Sequence, residues 1–352
     1  MSTTNLLKFF AEHKQHGEPL VLACVYETAG ATYSKTGACL LMTGDGVFQG
    51  MLSGGCLEGD LAERAMQVVA SGQPQQVTYD LSQDDEDLWG LGVGCDGLMR
   101  IFLQPLSLSG NYEPFATMAD RLHGDCTEIA AIVIESSSDL ASKGDALVSS
   151  AGQFVAFGLS SAAARLIEPV AQVALASGRS STRRQKLGHE EITVLYALLK
   201  PPPRVLVLGA GLDAEPVVNL CAELGWRVTV QDHRAAYIEK GDFRKARQVM
   251  CSPAQSLAEV LDLQQFDAAI VMSHHLVTDR TYLELLAKTD IIYIGLLGPK
   301  NRRIRIVGDL GAVASRLGDR LHGPAGLDIG GRGPASIALS IVAEMHEKLA
   351  QT

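Results

Sequence analysis

The chain has 352 residues, of which 47% are hydrophobic and 20% are charged, and its formal net charge is -10. This composition is typical of a globular protein of two or three domains, and the acidic balance argues against broad nucleic-acid binding, which needs Lys- and Arg-rich surfaces. No apolar run reaches the ~20 residues of a membrane span, and the N-terminus has no secretory signal. The cysteines lack framework spacing, which predicts free thiols and a cytoplasmic protein.

The first hundred residues alternate between helix and strand patterns. Residues 3–16 have the spacing of a short amphipathic helix, and a second helix is predicted from Leu57 to Ala70, with Gly72 placed to end it. The predicted strands of this part cover residues 20–28, 38–50, 75–81 and 98–105. Together they indicate an α+β domain over residues 1–105.

A degenerate internal repeat relates this domain to the segment that follows it. Residues 22–27 align with residues 130–135, and residues 70–72 with residues 176–178. Residues 106–200 are therefore interpreted as a second copy. Where the first copy has Cys56-Leu57-Glu58 the second has three alanines, and a further loop around Cys95 has no counterpart. The copies share a predicted scaffold and differ in their loops, which favours a site in the first copy.

Two cysteines of the first copy lie in glycine-rich loops. Cys56 follows Gly54 and Gly55 at the predicted start of a helix, where backbone amides and the helix dipole favour a thiolate. Glu58 lies in the first helical turn, where simple compensation of the dipole would also explain it. Cys95 follows Gly94. Each cysteine alone is consistent with a small buried side chain, whereas the two together predict a thiolate-lined anion site.

Three consecutive prolines, at 201–203, begin a different pattern. Apolar runs predict strands that alternate with helices, at residues 204–208, 227–231, 267–272 and 291–296, and residues 334–349 form a final helix. This rhythm predicts a Rossmann-like doubly wound parallel sheet over residues 201–352. The expected fold class is thus α/β, with an α+β region that carries the repeat preceding this sheet.

The first strand of the predicted sheet runs into a glycine loop. Gly209-Ala210-Gly211-Leu212-Asp213-Ala214 fits G-x-G-x-x-G/A, in which backbone amides approach a phosphate at a helix N-terminus. Asp232 ends the next strand, where an acidic residue can accept hydrogen bonds from ribose hydroxyls. The pattern is consistent with three possibilities: the loop binds a nicotinamide nucleotide, it binds another phosphorylated ligand, or it binds no ligand.

Further candidates follow the later strands. The third strand ends in Ser273-His274-His275, and since neighbouring side chains of an extended segment diverge, at most one histidine belongs to a site. The fourth strand ends near Gly298, and Lys300 and Arg303 belong to a basic cluster that suits either a phosphate or a solvated helix face.

These motifs resemble the XdhC/CoxI family, the accessory proteins of xanthine dehydrogenase and related molybdenum hydroxylases. The resemblance rests on residues 53–58, 92–95, 209–211, 232–234, 271–274, 294–298 and 322–330. Two departures from the family pattern are Asp96, where a glycine or asparagine is more usual, and Tyr33-Ser34-Lys35, which replaces a proline-containing turn.

The resemblance implies a cofactor chaperone rather than an enzyme. Such a protein would bind the molybdenum cofactor (molybdopterin) as cargo, protect it and deliver it to an apo xanthine dehydrogenase-type molybdoenzyme. A cysteine desulfurase is a further expected partner, and a homodimer is expected on general grounds. Cys56 and Cys95 would lie near the metal, because soft sulfur ligands suit molybdenum.

The remaining cofactor-binding residues implied in this way are Gly54, Gly55, Glu58, Gly94, Gly209, Gly211, Asp232, His274, Gly298, Lys300, Arg303 and Asp328. Two alternatives stay open. One is an NAD(P)-dependent oxidoreductase with His274 as proton donor, which leaves the cysteine loops unexplained. The other is a scaffold that recruits a desulfurase or the apo-enzyme without touching the cofactor.

Overall fold

The computed structural model describes residues 3–80, 97–187 and 189–350. The chain divides into an N-terminal unit, Thr3–Pro201, and a C-terminal unit that begins at Pro202. Among the described residues, no helix has the length and apolar character needed to cross a bilayer. The predicted α/β class is confirmed, and each unit has hydrophobic clusters of its own.

The N-terminal unit contains two five-stranded antiparallel sheets with the same strand order. The first has the order β3-β2-β1-β5-β4, with β1 (Leu20–Gly30), β2 (Cys39–Thr43), β3 (Phe48–Gln49), β4 (Gln75–Asp80) and β5 (Gly97–Leu106). The second has the order β8-β7-β6-β10-β9, with β6 (Glu128–Ser136), β7 (Ala146–Ser150), β8 (Gln153–Phe157), β9 (Ser181–Leu187) and β10 (Glu190–Leu199). The two aligned segments of the sequence therefore form sheets of one topology.

Each sheet carries one helix on its outer face. Helix α2 (Glu58–Ser71) packs on the first sheet and helix α4 (Ser161–Ser177) on the second, and both end at a left-handed glycine, Gly72 or Gly178. Alternate residues of a strand point to opposite faces, so every second side chain of β1 and β6 faces its own helix.

The other faces of the two sheets share one core. Helices α1 (Thr3–Gln15) and α3 (Phe115–His123) contribute to it, together with Leu22 of β1 and Ile132 of β6. Because this core is built from both copies, the N-terminal unit is a single compact body.

A disulfide joins Cys24 of β1 to Cys39 of β2. The expectation of free thiols is wrong for this pair, because the register of the two strands places the residues directly opposite each other. The equivalent pair in the second sheet is Ile132 and Ala146. Among the described residues, Cys56, Cys126, Cys221 and Cys251 are free.

The C-terminal unit is the predicted Rossmann-like domain. Its parallel sheet has the order β13-β12-β11-β14-β15-β16, with β11 (Arg204–Leu208), β12 (Arg227–Asp232), β13 (Gln248–Cys251), β14 (Ala268–Val271), β15 (Tyr293–Leu296) and β16 (Leu321–His322). Strands β13 and β16 were not predicted, because they are short strands at the two sheet edges without the apolar runs of the central strands.

Helices cover both faces of this sheet. One face carries α5 (Ala214–Glu223), α6 (Ala235–Lys240) and α10 (Pro334–Ala350), and the other carries α7 (Leu257–Val260), α8 (Leu276–Leu286) and α9 (Lys300–Leu310). The chain leaves β11 and β14 toward opposite faces, so the strand order reverses between them. Ligands of doubly wound sheets bind at such a switch point, outside the carboxyl ends of the strands.

Candidate functional site

The loop that carries Cys56 is held in shape by the buried carboxylate of Glu58. That carboxylate accepts hydrogen bonds from the backbone N–H groups of Leu52, Ser53 and Gly55 at 2.8, 3.0 and 3.0 Å, and also from the Ser53 hydroxyl. The Ser53 oxygen in turn accepts the Leu57 N–H at 2.8 Å. Burial raises the pKa of Glu58, but these donors outweigh it, so the net pKa lies below the ordinary value.

Gly54 and Gly55 allow this loop to fold back on itself. Their φ angles are 81° and 109°, which residues other than glycine rarely adopt. Tyr33, from the segment that departs from the family pattern, lies against Gly54: a Cβ on Gly54 would be 3.5 Å from its ring. Cys56 is half-buried beside the core under α2, two residues before that helix begins.

The second copy starts its equivalent helix in a simpler way. Ser160 caps α4 by accepting the N–H of Ala163 at 3.2 Å. Helix α2 has Leu57 at the corresponding position, with no side-chain cap. Since the same scaffold forms with a plain serine cap, the elaborate loop of the first copy is not needed to build the helix.

We expect Glu58→Ala to lower the free energy of unfolding of the N-terminal unit by about 3 kcal/mol, because several partly buried donors lose their acceptor. Ser160→Ala is the matched control and should cost about 1 kcal/mol, as the loss of a helix cap does. Urea unfolding followed by circular dichroism measures both. Equal losses in the two variants would contradict the special role of Glu58.

The second cysteine loop, with Gly94 and Cys95, lies outside the described residues. Its proximity to Cys56 therefore stays a prediction. Within the described ranges, no group of three or more His, Cys, Asp or Glu side chains is arranged to hold a metal ion.

The glycine loop of the C-terminal unit lies at the switch point between β11 and β14. Gly209 has a φ of 121°, and a Cβ there would lie 2.6 Å from backbone atoms of Met272 and Ser273. Only glycine permits this close approach of the two loops. Gly211 is less constrained, since a Cβ on it would be 3.7 Å from the His274 ring.

Asp232 is completely buried, and both of its carboxylate oxygens accept hydrogen bonds from the protein. One oxygen accepts the Ala210 N–H of the glycine loop at 2.7 Å and the Arg234 guanidinium at 2.8 Å. The other accepts the backbone N–H and Nε of Arg234, each at 2.9 Å. Burial raises the pKa of Asp232, but these donors, led by the Arg234 side chain, bring it below the ordinary value.

Arg234 extends this network to a third strand. Its guanidinium donates to the Ser273 carbonyl at 3.2 Å and lies 3.7 Å from the centre of the Tyr237 ring. Asp232 thus holds the glycine loop to the ends of β12 and β14. This role of Arg234 was not predicted, although the Asp-x-Arg spacing at a strand end is the signal that could have indicated it.

The two adjacent histidines have different surroundings. His275 caps α8, accepting the Thr278 N–H at 3.4 Å. His274 adopts a left-handed φ of 62° and lies toward the glycine loop, with Nε2 at 3.3 Å from the Asp213 carboxylate. The geometry therefore brings His274, Asp213 and the glycine loop together at the switch point.

Only some side chains of the basic cluster after β15 are available to a ligand. Arg302 donates to the fully buried Asp279 at 2.6 Å, and Arg303 donates to the Leu321 carbonyl at 3.5 Å. The Arg302 side chain packs against Gly298, where a Cβ would lie only 2.5 Å from it and would clash. Lys300, the first residue of α9, is exposed.

Asp328 lies in an exposed loop after β16. The start of this loop is tied to α10 by Glu344, which was not identified from the sequence. Glu344 accepts the Gly326 N–H at 2.7 Å and the Tyr293 hydroxyl at 2.6 Å. One edge of the sheet, formed by the carboxyl ends of its strands, therefore carries most of the predicted site residues of this unit. They are the glycine loop after β11, Asp232 of β12, His274 after β14, Gly298 after β15 and the loop of Asp328 after β16.

The fold and these loops define a class of protein: an antiparallel N-terminal unit with a structured Gly-Gly-Cys loop, followed by a Rossmann domain. The model for the XdhC and CoxI family matches residues 13–80, and the model for the XdhC Rossmann domain matches residues 205–345. A relative from Bacillus subtilis (strain 168), named as a probable xanthine dehydrogenase subunit, is 31% identical over 93% of this chain and 92% of its own length. The chain belongs to the XdhC and CoxI family.

Two further relatives extend over almost the whole chain. The "Molybdenum cofactor insertion chaperone PaoD" of Escherichia coli (strain K12) is 20% identical and covers 97% of this chain and 86% of its own length. The crystal structure of a xanthine dehydrogenase from Bacillus halodurans, 28% identical, covers 100% of this chain and 96% of its own with a TM-score of 0.81.

Proposed function

We propose that this protein binds the molybdenum cofactor, protects it and delivers it to a xanthine dehydrogenase-type molybdoenzyme. The relatives support an accessory role, and one of them is named as a molybdenum cofactor insertion chaperone. The observation that carries the proposal is the contrast between the two copies: α4 begins at a plain Ser160 cap, whereas the loop before α2 presents Cys56 on a backbone shaped by Glu58.

The chemistry of the cargo fits these groups. Molybdopterin is an anionic phosphorylated pterin that carries a thiophilic metal, and a cysteine sulfur is a suitable ligand for that metal or a neighbour of its sulfido group. In the N-terminal unit, Cys56 and Cys95 would be the sulfur groups suited to the metal. In the C-terminal unit, the glycine loop at Gly209 and Gly211 would offer a phosphate site, with His274 and Lys300 as donors. Asp232 would act as a positioning residue through Ala210.

The oxidoreductase alternative is weakened by the same geometry. It needs Asp232 to accept hydrogen bonds from ribose hydroxyls. The carboxylate of Asp232 is fully buried and both of its oxygens already accept protein N–H groups. A nicotinamide nucleotide would have to displace Arg234 to reach it, which favours cargo binding over hydride transfer.

The test is metal and pterin analysis of protein purified from a host that makes molybdenum cofactor. Near-stoichiometric molybdenum with an oxidised-pterin fluorescence signal is expected for the wild type and for Cys126→Ser, a control at an exposed free cysteine. The double variant Cys56→Ser, Cys95→Ser should lose both signals while keeping its circular dichroism spectrum. Undiminished binding in that variant would overturn the thiolate assignment, and saturable NADH binding without molybdenum or pterin would favour the oxidoreductase.

A further inference from the structure

The glycine loop of the C-terminal unit contains an acidic residue. Asp213 directly precedes α5, at the N-cap position, yet its side chain makes no capping hydrogen bond to that helix. Its carboxylate lies instead 3.3 Å from Nε2 of His274, and the Asp213 side chain is only 23% exposed. Because an aspartate at this position usually caps its helix, the contact with His274 has replaced the ordinary role of the side chain.

The residues on both sides of His274 are fixed by hydrogen bonds. The Ser273 N–H donates to the buried carboxylate of Asp279 at 3.3 Å, and the Ser273 hydroxyl donates to the same carboxylate. The His275 N–H donates to the Ser273 hydroxyl oxygen at 3.2 Å, and the His275 ring caps α8 by accepting the Thr278 N–H. Between them His274 has its left-handed φ of 62°, which a residue other than glycine keeps only where its surroundings determine it. The His274 ring is therefore held toward the glycine loop.

Charged groups on the neighbouring elements complete the surroundings of this pair. They are Asp232 and Arg234 at the end of β12, Asp279 of α8, Lys300 and Arg302 of α9, Glu215 of α5 and the adjacent His275. Both buried carboxylates, Asp232 and Asp279, are paired with an arginine, at 2.8 and 2.6 Å. Glu215 accepts the Asp242 N–H at 3.3 Å, and Lys300 is exposed. In the part of the chain that the structure describes, Asp213 has His274 as its ion-pair partner.

We propose that the pair of Asp213 and His274 makes anion binding at the glycine loop depend on the protonation of His274. The inference rests on the proposed function, in which this loop binds a phosphate group of the cargo. With a neutral imidazole, the Asp213 carboxylate places a negative charge at the amino end of α5 and repels an incoming phosphate. A protonated imidazole cancels that charge and adds a hydrogen-bond donor. The loop therefore binds an anion at lower pH and releases it as pH rises.

Titration calorimetry of the full-length protein with sulfate, at constant ionic strength, tests this coupling. Sulfate keeps its charge between about pH 5.5 and pH 8, the range in which histidine titrates, whereas phosphate groups titrate there themselves. The wild type should bind sulfate about tenfold or more tightly at the lower pH than at the higher pH. Asp213→Asn should bind at the higher pH about as tightly as the wild type does at the lower pH, because the repelling charge is gone. His274→Gln should bind weakly at both.

The matched control is His275→Asn, because asparagine can keep the cap of α8 but does not titrate, and this variant should keep the pH dependence of the wild type. Sulfate binding that is independent of pH in the wild type, or pH dependence that survives in His274→Gln, would overturn the coupling and leave the phosphate role of the loop standing. Absence of sulfate binding at both pH values, in the wild type and in Asp213→Asn, would overturn that phosphate role and the coupling with it. The molybdenum and pterin analysis of the cysteine variants tests cargo binding separately.

Discussion

Gly209→Ala is expected to lower the free energy of unfolding of the C-terminal unit by about 4 kcal/mol, the sum of backbone strain at a glycine-only φ and of overpacking. The added Cβ would lie 2.6 Å from backbone atoms of Met272 and Ser273, which cannot rotate away as a side chain can. Urea unfolding gives the size of the loss, and hydrogen exchange of peptides that contain β11 and β14 locates it.

The control for this variant is Gly211→Ala, two residues further along the same loop. Its Cβ would lie 3.7 Å from the His274 ring, an ordinary contact, and Gly211 has no positive φ. A change below about 1 kcal/mol is expected. If both variants unfold at the same urea concentration, the close approach at Gly209 does not have the importance assigned to it.

Arg234→Met should cost about 3 kcal/mol, because it leaves the buried charge of Asp232 without its guanidinium partner. The value lies at the lower end of the range for buried ion pairs because the Arg234 side chain is 27% exposed. Arg244→Met breaks an exposed pair with Asp242 and should leave the unfolding midpoint unchanged. Urea unfolding of the two variants side by side makes the comparison, and equal midpoints would contradict this account.

The dependence on pH gives an independent check of the same pair. In the wild type the pKa of Asp232 is lowered below its unfolded-state value of about 3.9. The contribution of this carboxylate to the free energy of unfolding is therefore fully present above that value and is lost as pH falls through the folded-state pKa. In Arg234→Met, burial without the guanidinium raises that pKa. The stability difference between the two proteins should therefore shrink below about pH 4.

Local patterns of the sequence predicted much of the fold. The apolar runs at 204–208 and 227–231 identified central parallel strands, because strands buried on both faces need continuous apolar side chains. Gly72 was recognised as a helix end from its position alone. The edge strands β13 and β16 were missed, since strands of four and two residues are too short to carry such a pattern.

The candidate site was predicted in part. The Gly-Gly-Cys loop, the glycine loop and the choice of one histidine rather than two all came from motifs and spacing. The disulfide between Cys24 and Cys39 did not, because only the register of β1 on β2 makes them neighbours. The role of Glu58 was likewise hidden, since its first-turn position equally suits simple compensation of the helix dipole.

The sequence by itself determined the order of the central strands, the repeat and the positions of the special loops, because periodicity, glycine and proline act over a few residues. Tertiary structure alone decided which groups face one another. The Asp232 carboxylate accepts hydrogen bonds from Ala210 and Arg234 rather than remaining open to a ligand, and Cys24 lies directly opposite Cys39. Such pairings depend on strand register and on packing between distant segments, which no local pattern encodes.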